Sequence, residues 1–127
     1  MQNPGNRRNR RSSEIYQALS YQLRSCREDA QLDAIVLADE DGICLASAGP
    51  ADTCEGVAAT LPILGRKAGD FDGVLLAPSG GLKALVQRFR IDSSELYLCA
   101  IGGDDDLRAR QIARSITGVS RILAAEV

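Results

Sequence analysis

The sequence has no histidine and no tryptophan, only two phenylalanines and three tyrosines, and none of its four cysteines forms a Cys-x-x-Cys pair. Without histidine, the usual base that activates a serine or cysteine nucleophile is missing. A tetrahedral zinc site and a dithiol redox motif are excluded in their common forms. Apolar runs reach only about six residues, as around Ala34 and Ala38, far short of the roughly 20 that cross a bilayer. The first eleven residues also lack the apolar centre of a secretory signal. A cytoplasmic protein with reduced thiols is expected, and Cys26, Cys44, Cys54 and Cys99, each inside an apolar segment, read as core residues.

What is present suits one domain. The 127 residues are 45% hydrophobic, enough for a single contiguous core. The net charge of −2 is unevenly spread, because Arg7, Arg8, Arg10 and Arg11 are the only charged residues among the first eleven. The remainder holds eleven basic and seventeen acidic side chains, a net of −6. Residues 1–12 read as a basic disordered tail and 13–127 as the folded body. An acidic body disfavours nucleic acid as a partner. The tail is suited to an acidic partner or a membrane surface, or simply to keeping the chain dispersed.

Ser12 or Ser13 can cap a helix whose inner stripe is Ile15, Ala18, Leu19, Gln22, Leu23 and Cys26. From Ala34 the pattern shortens to an apolar strand, the turn Asp39-Glu40-Asp41-Gly42 and a second apolar strand over 43–46, which together read as a β-hairpin. Asp52 or Thr53, with Glu55, resembles a capping box for a second helix. Pro62 falls inside that helix and is expected to kink or split it before Gly69. Strands are expected over 73–77, 82–89 and 95–101, joined by connections short enough to imply antiparallel neighbours. Asp104, Asp105 and Asp106 then open a last helix with the stripe Ala109, Ile112, Ala113, Ile116, Val119 and Leu123. The order α-β-β-α-β-β-β-α, with strands apolar on both faces, predicts an α/β (α+β) three-layer α/β/α sandwich on a mainly antiparallel five-stranded sheet.

No catalytic, metal or cofactor site is expected. The Asp39–Asp41 cluster is explained by a solvated turn and lacks the closing ligands of a calcium loop. Asp104 to Asp106 are explained as a helix cap. Gly102-Gly103 is followed by those three aspartates, which would repel a phosphate. The open question is physical. The uncharged strand 73–77 follows the crossover helix and is expected at a sheet edge, where Gly73, Val74, Leu75 and Leu76 invite another chain. The crossover helix adds Cys54, Val57, Ala58, Leu61 and Leu64, a stripe wide enough to serve a two-fold joint between two copies.

The hairpin Leu32-Asp33-Ala34-Ile35-Val36-Leu37-Ala38-Asp39-Glu40-Asp41-Gly42-Ile43-Cys44-Leu45-Ala46-Ser47 resembles that of the roadblock/LC7 family. So do the helix Glu55-Gly56-Val57-Ala58-Ala59-Thr60-Leu61 and the last strand and helix; the likeness spans roughly residues 13 to 125 and is nearest the bacterial MglB-like branch. The resemblance implies a profilin/roadblock-like fold and a homodimer joined through the third strands and crossover helices. It also implies a non-catalytic regulator or scaffold for a Ras-like small GTPase, with the GTPase facing Glu55, Ala59, Thr60, Ile63, Arg66 and Lys67. In that branch the dimer repositions the GTPase's own switch residues and donates no arginine finger. Pro62 and the four-arginine tail depart from the family pattern. The competing reading is a small-molecule sensor of PAS or GAF type, which the scarcity of aromatic residues disfavours.

Overall fold

The computed structural model describes residues 4–68, 70–77 and 80–124, with side chains for all of these except 4–12, 65–68, 70, 75–77 and 80. The elements run α1 (Pro4–Ala30), β1 (Ala34–Asp39), β2 (Cys44–Ala48), α2 (Ala51–Ala68), β3 (Asp70–Ala77), β4 (Gly80–Ile91), β5 (Ser94–Ile101) and α3 (Asp105–Ala124). The strands form one antiparallel sheet in the order β2-β1-β5-β4-β3.

β1 and β5 lie at the centre, and the reason is in their composition. Both are apolar at successive positions, so both of their faces must be covered. Alternate side chains serve the two faces. Ile35, Leu37, Leu96, Leu98 and Ala100 pack under α1 and α3, and Val36, Ala38, Tyr97, Cys99 and Ile101 pack under α2. The expected three-layer α/β/α sandwich is therefore what forms, with α1 contributing Leu19, Leu23 and Cys26 to its layer.

The β1–β2 hairpin is held from within. The Asp39 carboxylate accepts the backbone N–H groups of Asp41 at 2.9 Å and Ile43 at 3.0 Å, which is the Asx geometry that lets aspartate open a turn. Gly42 follows with φ +80°, and a Cβ added there would stand 3.2 Å from the Ala59 Cα. The hairpin tip thus rests on the α2 backbone. At the other end of the sheet, the buried Arg108 donates to the carbonyls of Gly102 at 2.8 Å and Gly103 at 2.7 Å and pairs with Asp105, tying β5 to α3.

Four expectations are corrected. The helix expected from Ser12 or Ser13 begins at Pro4, so the basic stretch expected to form a disordered tail is the opening of α1; proline at the first helical position is a recognised start. α2 starts at Ala51, with the Cys54 N–H donating to the Pro50 carbonyl, so Asp52 lies in the first turn rather than at the cap. α2 also runs through Pro62 as a single helix, because Cys54, Val57, Ala58 and Leu61 are pinned to the sheet ahead of it. Finally, α3 buries Arg108, Gln111, Ile112, Ser115, Gly118 and Val119 and leaves Ala109 and Ala113 exposed. Its inner face is turned toward α1, where a Cβ on Gly118 would run into the Gln22 side chain.

Gly42→Ala is expected to lower unfolding free energy by about 1–2 kcal/mol through strain at positive φ and crowding of α2, measured by urea denaturation. The Cys99 thiol supplies a second test. Burial, with Cys54 as a minor contributor, pushes it from 9.0 up to about 12. Unfolded Cys99 ionises near pH 9 while the folded thiol stays protonated, so its contribution is constant below pH 9 and is lost as pH rises toward 12. The loss is about 1.4 kcal/mol per pH unit, and Cys99→Ala should remove that slope relative to the parent in alkaline denaturation curves.

Candidate interaction surface

Among the described residues no group of three or more acidic or thiol side chains is placed to hold a metal ion. The Asp39 carboxylate is spent on its turn, that of Asp104 accepts the Asp106 N–H at 2.9 Å, and Asp105 pairs with Arg108. Among the described residues no helix is long and apolar enough to cross a membrane. The space beneath α2 is filled by Tyr97, Cys99, Ile101, Val86 and Leu61, all fully buried. Burial also raises the Cys54 thiol, and the Ser47 side chain bonded to it partly offsets the rise.

The features that remain are surfaces. β3 bonds only to β4 and forms one edge of the sheet. It begins three residues earlier than expected, at Asp70, so Asp70 and Asp72 put charge on its first half. The uncharged stretch from Gly73 onward keeps its edge open. Val74 stands opposite Lys83 and is 57% exposed. Gly73 is half-buried, and a Cβ there would meet the Phe71 ring at 2.9 Å. Leu75 and Leu76 continue the edge, paired with Leu82 and Gly81, and their side chains lie outside the described residues.

α2 divides into two faces. Cys54, Val57, Ala58 and Leu61, expected at a joint between copies, are enclosed by the chain's own sheet. α2 crosses all five strands of the sheet, which takes up these four side chains. Leu64 is half-buried. The opposite face exposes Glu55, Ala59, Thr60 and Ile63, the last at 65%. Arg66 and Lys67 belong to the end of the same helix, and their side chains lie outside the described residues. Gly56, which sequence reasoning misses, lies on this outer face, and a Cβ added to it would meet nothing within 4 Å. A glycine inside an exposed helix costs about 1 kcal/mol relative to alanine, and that unforced cost is the signal that could have found it.

On the sheet face below α2, Arg90 and Glu95 pair at 3.0 Å. The hydrogen bond from Arg90 holds the Glu95 carboxyl below its ordinary range. Glu95 is also within 3.4 Å of the Tyr97 hydroxyl, which donates to it.

No protein-family profile matches the chain, and no curated protein matches it by sequence. Solved structures do. MglB of Myxococcus xanthus superposes with a TM-score of 0.65 at 16% identity, covering 88% of this chain and 92% of that one. The chain has the roadblock/LC7, MglB-like fold. A structure described as MglB with a tetrameric arrangement gives a TM-score of 0.62 at 11% identity, covering 89% and 93%. A roadblock/LC7 domain from Streptomyces avermitilis gives 0.59 at 17%, covering 83% and 97%. The roadblock architecture implied by the hairpin, the α2 segment and the closing strand and helix is thus the one the chain adopts.

The division of α2 is directly measurable. Leu61→Ala should destabilise the fold by about 2–5 kcal/mol, as for a fully buried leucine. Ile63→Ser should stay within about 0.5 kcal/mol of the parent in the same denaturation assay.

Proposed function

We propose that this chain is a non-catalytic regulator or scaffold that forms a homodimer and, as a dimer, binds a Ras-like small GTPase. The observation that carries the reading is the overlap with MglB, in which both chains are covered over about nine-tenths of their length. The MglB-like branch is also the one the sequence resembles, and that resemblance implies a GTPase partner.

The surfaces support the same reading. An open, uncharged edge on β3 with an exposed valine favours pairing with an identical strand, because antiparallel edge-to-edge pairing satisfies its free N–H and C=O groups and covers Val74. Two sheets joined in this way carry their α2 helices side by side on one face. The exposed Glu55, Ala59, Thr60 and Ile63, with Arg66 and Lys67 at the helix end, then form one composite platform. Ile63, exposed on that face, is the apolar anchor of the platform. The platform rests on protein contacts alone, and the GTPase supplies its own catalytic groups.

Light scattering after size exclusion should give a dimer for the parent, and Val74→Asp should shift it to monomer by placing a charge in the joint. A parent that is monomeric at high micromolar concentration overturns the dimer. For the partner, a Ras-like GTPase from the same genome, loaded with GDP or a GTP analogue, should be retained in one nucleotide state. Ile63→Asp should abolish retention while leaving the dimer intact; equal or absent retention in both states removes the regulatory role.

A further inference from the structure

α1 has 27 residues, and among its described side chains the first to pack on the core is Ile15. The turns before it hold Arg7, Arg8, Arg10 and Arg11, with no acidic residue until Glu14. Immediately beyond, on the side of the helix turned away from the sheet, Tyr16 is 48% and Tyr21 72% exposed. These two rings, with Gln17, Ser20 and Arg24, line an open groove of about 350 Å3. Among the described residues Arg24 has no ion pair, whereas Arg90, Arg108 and Arg114 each have a carboxylate. Tyrosine and arginine are the residues most enriched where proteins grip partners, since each combines a large contact area with polar reach. Here they stand uncovered in one concavity.

We propose that the outer face of α1 is a docking site for an acidic segment of a partner protein, which seats an apolar side chain between Tyr16 and Tyr21 and a carboxylate on Arg24. The arginines at the helix start attract the same segment. From Arg7 to Arg24 the helix spans about 26 Å at 1.5 Å per residue, the length of roughly eight extended residues. Charge complementarity selects the occupant. The groove is shallow and open, with Gln17 and Ser20 beside the two rings. The site is separate from the GTPase platform, because α1 and α2 cover opposite faces of the sheet.

The test uses the full chain and fluorescence anisotropy with a fluorescein-labelled peptide that alternates glutamate with leucine and phenylalanine. Saturable binding is expected, weaker by about tenfold for the same peptide with glutamine in place of glutamate, and weakened by salt. Tyr21→Ala and Arg24→Gln should each reduce affinity by roughly fivefold or more, with helix content unchanged by circular dichroism and GTPase retention unaffected. Replacing Arg7, Arg8, Arg10 and Arg11 together by glutamine should weaken binding and flatten its salt dependence. Equal binding of the glutamine peptide, unaltered binding by both groove variants, or capture of phosphatidylserine vesicles or duplex DNA in preference to the acidic peptide would each overturn the proposal.

Discussion

The whole arrangement depends on a sheet whose two central strands are greasy on both sides. β1 and β5 have no polar face to give to water, so the chain must supply helices above and below them. α2, the only long connection between strands, takes one face; the helices at either end of the chain share the other. Everything proposed about partners follows from what this coverage leaves over: one uncapped edge strand, the outer face of α2 and the outer face of α1.

Much of that is legible in the sequence because it rests on local signals. The Asp39 to Gly42 turn is readable since aspartate bonds its own backbone two residues on and glycine accepts positive φ. The inner stripe of α1 is readable from Ile15 to Cys26 because large aliphatic residues at three- and four-residue intervals leave only one way to bury them. The position of β3 at an edge is readable from its place directly after the crossover helix, although its first half carries Asp70 and Asp72.

Other features are hidden for definite reasons. Ala109 and Ala113 gain too little from burial to govern how α3 turns. Arg108, Gln111 and Ser115 are polar and give no core signal, yet each lies on the buried face. Arg108 can be buried only because two loop carbonyls and Asp105 meet it there, and no local pattern announces that. The α2 stripe looks wider than a single sheet face needs; in the structure α2 touches all five strands, which encloses Cys54, Val57, Ala58 and Leu61 and leaves Leu64 half-buried. The candidate surface is accordingly half legible: its exposed members on α2 are distinguishable by spacing, while Gly56 and the uncovered tyrosines of α1 emerge only once burial is known.

By itself the amino-acid sequence determined which segments become helices and strands and that the sheet must be clad on both sides, because these depend on hydrophobic period and on turn chemistry carried by neighbouring residues. The tertiary structure alone decided which apolar side chains are used up inside the protomer and which remain outside. Cys54 and Ile63 lie on one helix nine residues apart, the first enclosed and the second exposed, and only the position of the sheet relative to that helix separates them.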